Sequence, residues 1–305
     1  MILALASAKV FYEEKNMQLY QWAQFKATWN KVYRERDEDE RRFQIFLSNL
    51  KLIDERNALE SQANGTAIHG INVFSDISRE EFAKRYLNLD ATQASKSNAV
   101  RVEVEGLKAS DSANVDWSGV YTTPVKDQGY CGSCWAFSAT EQLESDSMRV
   151  LGTSFILAPQ QVVSCDTVSS GCQGGWPTWA FDYIKSANGQ EEDGVYPYTS
   201  GTTGDTGVCA AKSSANVVGV SAYYQISGAK AADIESSMQA YVSKTGPLSI
   251  CADASSWSTY RGGIMSHCGQ SINHAIQVVG VNSEEGYWKV RNSWGTGWGE
   301  SGYIR

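Results

Sequence analysis

From its amino terminus onward the chain changes pattern three times. Over residues 9–90, apolar and aromatic residues recur at helical spacing: Trp22, Phe25 and Trp29, then Phe43, Phe46, Leu50 and Ile53. Between Arg34 and Glu60 the intervening positions carry both charge signs, as on an exposed helix with one buried stripe. Residues 91–113 lose the stripe and hold small polar residues (Thr92, Ser95, Ser97, Asn98), which predicts an extended tail. From Val115-Asp-Trp117 onward Gly, Ser, Trp and Tyr become frequent. Helices are predicted over Cys134–Met148, with Gly152 as the stop, over a short segment after Pro159, and over Pro177–Ser186. Past Val217 the pattern shortens to β-like runs: Val217–Val220, Pro247–Cys251, Ala275–Val281 and Tyr287–Val290. The expected fold class is α+β. A helical amino-terminal unit precedes a domain with one helical and one β-rich half, and the cleft between halves is the natural place for a site.

Composition adds boundaries. The 305 residues, 42% hydrophobic and 20% charged, suffice for two domains with a substantial core. The net charge of −8 is unevenly placed: residues 1–112 carry 16 basic and 17 acidic side chains, residues 113–305 carry 10 and 17. An acidic domain without a basic run argues against nucleic acid as a partner, and no apolar run is long enough to span a membrane. Residues 1–8 are short and apolar, and Ala6-Ser7-Ala8 is like a signal-peptidase site, so they are expected to be the remnant of a secretion signal. Asn64-Gly65-Thr66 is the one N-x-S/T triplet and a candidate glycosylation site.

Seven cysteines all lie after residue 130. No arrangement of them with histidines has metal-ligand spacing. Three disulfides and one free thiol, formed in an oxidising compartment, is the economical reading. The densest stretch is Gln128-Gly-Tyr-Cys131-Gly-Ser-Cys134-Trp-Ala-Phe-Ser138. A thiol at Cys134 would begin a helix, where the backbone dipole favours its thiolate. Thiol catalysis also needs a base, and the base needs an orienting group. Of three histidines, His69 lies in the first region and His267 sits beside Cys268, whereas His274 opens a β run. Asn292 then heads Asn292-Ser-Trp294-Gly-Thr-Gly-Trp-Gly. A redox dithiol at Cys131 and Cys134 is the rival reading, and it leaves Gln128, His274 and Asn292 without a role.

Two more patterns bear on this choice. Glu38, Arg42, Phe46, Asn49, Ile53 and Asn57 follow one another at intervals of four, four, three, four and four, and Gly70-x-Asn72-x-Phe74-x-Asp76 comes next. With the Cys-Gly-Ser-Cys-Trp run, they make the chain resemble precursors of papain-family, cathepsin L-like cysteine peptidases over nearly its whole length. The resemblance implies an inhibitory propeptide over residues 9–112 and a two-lobed papain-like peptidase domain over 113–305. The family pattern continues beyond Gly302-Tyr-Ile-Arg305, so the carboxyl end is expected to be truncated. Cys134 would be the nucleophile, His274 its proton-transfer partner, Asn292 the orienting group and Gln128 an oxyanion donor. Gly174 and Gly175 would form a wall for extended substrate, with Trp176, Pro177, Ile272 and Ala275 lining an apolar pocket for the P2 residue and Trp294 shielding the His274–Asn292 bond. The implied protein is an endopeptidase zymogen acting on protein or peptide substrates without cofactor or metal. Its own propeptide would inhibit it, as would cystatin-like proteins. It would be a monomer, lysosomal, vacuolar or secreted, and would cut itself between Val100 and Asn114 when acid protonates carboxylates such as Asp76. The resemblance also implies disulfides Cys131–Cys172 and Cys165–Cys209. Cys251–Cys268 is the pair expected from what remains, the alternative being two free thiols.

Overall fold

The computed structural model describes residues 9–92, 99–104 and 113–305; residues 1–8 and part of the predicted tail lie outside the described residues. Helices α1 (Lys15–Thr28) and α2 (Arg36–Gln62) open the chain, and their apolar stripes meet in a small core of Trp22, Phe25, Phe43, Phe46, Leu50 and Ile53. Phe46, Leu50 and Ile53 are wholly buried, which contributes about 1.5–3 kcal/mol each. Asp37, Glu38 and Asp39 in the first turn of α2 suit the positive end of its dipole. The chain leaves α2 through exposed Asn64, whose φ of 52° is a left-handed conformation that Asn tolerates. Strand β1 (Ile68–His69) follows, then helix α3 (Arg79–Tyr86), which starts with a reciprocal Ser78–Glu81 capping box.

The polar members of the α2 pattern face inward and hold the strip between β1 and α3. Asn49 Nδ2 donates to the carbonyls of Ser75 (2.9 Å) and Ile77 (3.0 Å). Asn57 exchanges two 2.9 Å bonds with the backbone of His69. Arg42 donates to the Asp76 carbonyl at 3.0 Å and to both Glu81 oxygens at 2.8 and 3.0 Å. The Asp76 carboxylate accepts from Lys31 at 3.0 Å and from the Tyr33 hydroxyl. A buried carboxylate with two donors is stable where an unpaired one would not be.

The linking tail adds β2 (Val100–Val102), and the second domain begins with β3 (Asn114–Asp116). Its helical lobe holds α4 (Cys134–Leu151), α5 (Pro159–Cys165), α6 (Pro177–Ser186) and the single turn α7 (Ser200–Thr203). Helix α4 ends at Gly152 (φ 65°), whose N–H bonds the Met148 carbonyl. The other lobe holds β4 (Tyr224–Ile226), α8 (Ala231–Lys244), β5 (Leu248–Ala252), β6 (Tyr260–Gly262), β7 (His274–Asn282), β8 (Tyr287–Arg291) and β9 (Tyr303–Ile304). Every residue of β7 is buried. β7 pairs antiparallel with β8, which pairs with β9, while β5 and β3 share its other edge. Two expectations fail here. Helix α8 lies where only β runs were expected, although Ile234, Met238, Tyr241 and Val242 recur along it at helical spacing. Val217–Val220 forms no strand, because its ladder bonds are confined to Val217 and Val218, both with Gln190.

The amino-terminal unit is built into both lobes. β1 pairs antiparallel with β6, and β2 pairs in parallel with β4. Phe74, Ile77, Phe82 and Tyr86 share one core with Val278, Trp294 and Trp298, and Leu89 joins the helical-lobe core with Trp135 and Trp176.

Disulfides join Cys131 to Cys172 and Cys165 to Cys209. The expected Cys251–Cys268 bond is absent, and both thiols are free. Cys251 stands on β5 opposite Ala275 and packs into the helical-lobe core. Cys268 lies exposed in the loop before β7, its thiol toward Trp257 in the core of the other lobe. The two side chains therefore serve different cores.

Candidate active site

Cys134 is the first residue of α4 and is wholly buried. The Ala275 N–H, next to His274 at the start of β7, is aimed at its sulfur, so helix and strand bring the nucleophile and imidazole candidates into one place. The His274 ring bonds through Nε2 to Asn292 Oδ1 at 2.8 Å. Asn292 lies just after β8, and its N–H donates to the Gly302 carbonyl at 3.0 Å. Trp294 lies over His274 with ring centroids 4.8 Å apart and planes at 31°, and Trp257 meets the imidazole edge-on. This aromatic cover keeps water from competing for the His274–Asn292 bond.

Gln128 is also wholly buried. Its Oε1 accepts from the Ser293 hydroxyl at 2.8 Å, its Nε2 donates to the Cys131 carbonyl at 3.0 Å, and its backbone N–H donates to the Ser293 carbonyl at 2.9 Å. These bonds fix the amide so that its second N–H is an uncharged donor of fixed orientation. Cys131, bonded to Cys172, is not available as a redox partner for Cys134.

The expected lowering of the Cys134 pKa does not hold in this form of the molecule. Burial pushes the thiol up to about 11, although N–H groups of Ala275, Trp135 and Cys134 itself favour the thiolate. Burial likewise holds His274 down at about 4, against the opposing pull of Asn292 and the Tyr86 carbonyl. The pair therefore rests neutral. Residues far upstream contribute to the cover that buries the pair.

That cover is the segment after α3. The Leu89 N–H donates to the Asn273 carbonyl at 3.1 Å. A Cβ on Gly132 would strike the Asn88 amide, and one on Gly174 (φ 115°) would strike the Asn88 carbonyl. Gly175 is closed by Trp135 and Ser169, so it shapes the wall without meeting the segment. Leu89 lies in the apolar cluster of Trp176, Ala275 and Cys134, and Pro177 is buried at the start of α6. Ile272 does not join them. It is 40% exposed, one residue before the Asn273 carbonyl that turns toward Leu89. Sequence reasoning missed Ser293, Asn273, Asn88 and Leu89. Ser293 had a signal in its place between Asn292 and Trp294; the other three had none.

Residues 111–305 match the model of the papain family cysteine proteases, and residues 22–82 match that of the cathepsin propeptide inhibitor domain (I29). The chain belongs to the papain family. Among curated members it is 36% identical over 320 residues to a cathepsin L-like proteinase of Phaedon cochleariae, covering all of this chain and 93% of that one. It is 39% identical over 293 residues to cysteine proteinase 2 of Leishmania pifanoi, covering 92% of this chain. The chain spans 64% of the length of that relative and 66% of a Trypanosoma brucei brucei cysteine proteinase. Its fold is that of digestive procathepsin L 3 of the Tenebrio molitor larval midgut, with a TM-score of 0.82 at 35% identity over 94% of this chain and 92% of that one.

Proposed function

We propose that this papain-family chain is the zymogen of a cysteine endopeptidase, with residues 9–112 as inhibitory prosegment and 113–305 as catalytic domain. The observation that carries this reading is the His274–Asn292 bond of 2.8 Å beneath Trp294, beside a buried Cys134 covered by the prosegment. Once the cover leaves, water returns to the cleft. The thiol proton passes to His274, and the helix start and three N–H groups favour the thiolate. Sγ attacks the scissile carbonyl, and Gln128 Nε2 and the Cys134 N–H receive the developing oxyanion. His274 gives its proton to the leaving amine as the C–N bond breaks, leaving an acyl-enzyme. A water, losing its proton to His274, then hydrolyses the thioester and restores the thiol.

Leu89 in the apolar cluster of Trp176 and Ala275 supports a hydrophobic P2 preference. Exposed Asn64 remains a glycosylation candidate, and a lysosomal, vacuolar or secreted destination and inhibition by cystatin-like proteins go with the same reading. The test is hydrolysis of fluorogenic peptides by acid-treated protein. Leu at P2 is expected to be cleaved at least about tenfold faster than Asp, as a buried charge requires, with no hydrolysis by Cys134→Ala. Equal cleavage of both peptides would overturn the pocket assignment, and undiminished hydrolysis by Cys134→Ala would overturn the mechanism.

A further inference from the structure

Arg291 is wholly buried at the carboxyl end of β8, directly before Asn292. Its guanidinium meets one residue from each of the other three segments that carry the candidate machinery. Nη1 donates to the Thr123 carbonyl at 2.9 Å and to the Thr123 hydroxyl at 3.1 Å, on the segment that leads to Gln128. Nη2 donates at 2.6 Å to Oε1 of Gln277, on the strand β7 that His274 opens. Nε lies 3.5 Å from Oε2 of Glu141, on α4. Glu141 stands two helical turns, about 10 Å, beyond Cys134 on the same face of that helix.

Each partner is itself held. The Thr123 hydroxyl donates to Glu144, which leaves its lone pairs for Arg291. Gln277 Nε2 donates to the Glu141 carbonyl at 3.1 Å and to Ser145 Oγ at 3.0 Å, so the amide oxygen is the end that faces the guanidinium. Stability does not account for the arrangement, because the cost of desolvating two buried charges offsets much of their attraction. Asn292 does need a hold of this kind. Its Oδ1 accepts from the Ser293 N–H and meets His274 Nε2, both at 2.8 Å, while its Nδ2 has no partner among the described residues. The placement of this amide therefore follows from its backbone, fixed by the Gly302 carbonyl on one side and by Arg291 on the other.

We propose that Arg291 is a positioning residue for the reaction: one planar guanidinium fixes the relative placement of the segments that bear Gln128, Cys134, His274 and Asn292. The inference rests on the assignment of those four residues as the machinery. A guanidinium offers donors in a rigid plane to several partners at once, whereas an ammonium is a compact point charge on a flexible stem. One such point cannot reach Thr123, Gln277 and Glu141 together in the geometry seen here. Arg291→Lys therefore keeps the charge and loses the geometry, and Arg291→Met loses both.

Two readouts test this, and the first needs no catalysis. In the full chain carrying Cys134→Ala, which cannot process itself, exchange of the His274 Nε2 proton with water is measured by NMR. Arg291→Lys is expected to speed it at least about tenfold, because the bond to Asn292 opens more often. The second readout is kinetic. In the processed enzyme Arg291→Lys is expected to lower kcat at least about tenfold, with KM changed less than about twofold, since the substrate meets the same walls while the reacting groups are misplaced. Arg291→Met is expected to exceed Arg291→Lys in both. Unchanged His274 exchange in Arg291→Lys, or a raised KM with kcat intact, would overturn the proposal. A lower urea midpoint with both readouts unmoved would make Arg291 a structural residue only and would overturn it too. If Arg291→Met fails to fold, Arg291→Lys decides alone. If the parent enzyme hydrolyses no peptide, the protease reading fails by its own test, and the exchange readout still decides whether Arg291 holds the His274–Asn292 bond.

Discussion

The prosegment is predicted to hold the catalytic domain chiefly through an aromatic clamp on Trp294, and Phe82→Ala tests this. Phe82 is 3% exposed and meets Trp294 edge-on at 5.1 Å, with Phe74 at 5.3 Å and Tyr86 at 5.2 Å completing the group. Removing a buried Phe side chain costs about 3–5 kcal/mol, and an edge-to-face aromatic pair accounts for about 0.5–1.5 kcal/mol beyond burial. Phe82 divides its contacts between its own unit and the catalytic core, so the share lost from docking is about 2–4 kcal/mol, or roughly 30- to 900-fold in the open population. The assay is hydrolysis of a fluorogenic peptide by unprocessed full chain at neutral pH, with the chain length checked by mass spectrometry. Phe82→Ala is expected to leak activity in that range. Val32→Ala, at an 81% exposed position, is expected not to leak. A Phe82→Ala chain that stays folded and as silent as the wild type would refute the clamp.

Two further outcomes follow from the site. Asn292→Ala removes the 2.8 Å partner of His274 Nε2 and leaves the ring free to turn, so kcat/KM of the processed form should fall by at least about tenfold with KM little changed; an unchanged kcat/KM would remove Asn292 from the machinery. Replacing both Cys131 and Cys172 by Ser opens a link between residues 41 apart in sequence and should lower stability by about 4 kcal/mol in urea titration; a shift under about 1 kcal/mol would show that the unfolded chain gains little freedom there.

Much of this architecture was legible because local spacing and long-range packing agree. The four-and-three spacing from Glu38 to Asn57 puts Arg42, Phe46, Asn49 and Ile53 on one buried face of α2. Cys134 and Gly152 mark the two ends of α4 because a helix start and a left-handed stop have strong residue preferences. The nucleophile, imidazole and amide candidates were legible as types placed at element ends. What was not legible depends on segments meeting from afar. The raised Cys134 thiol follows from a cover that includes Leu89, which no pattern within Gln128–Ser138 could announce. The free Cys251 and Cys268 follow from which core each side chain enters, a matter of β5 register and loop path rather than of counting. Likewise, β1 and β2 are two- and three-residue strands that exist only because β6 and β4 offer them an edge.

Cys134 is proposed as a nucleophile held neutral by the prosegment and freed by its removal. The most direct measurement is labelling with a thiol-reactive epoxide on a short peptide with Leu at P2, before and after acid treatment, with the adduct mapped by mass spectrometry. One adduct, on Cys134, is expected in the processed form, and none in the intact chain at neutral pH. An adduct on Cys251 or Cys268 instead, or equal labelling of Cys134 with the prosegment in place, would contradict it.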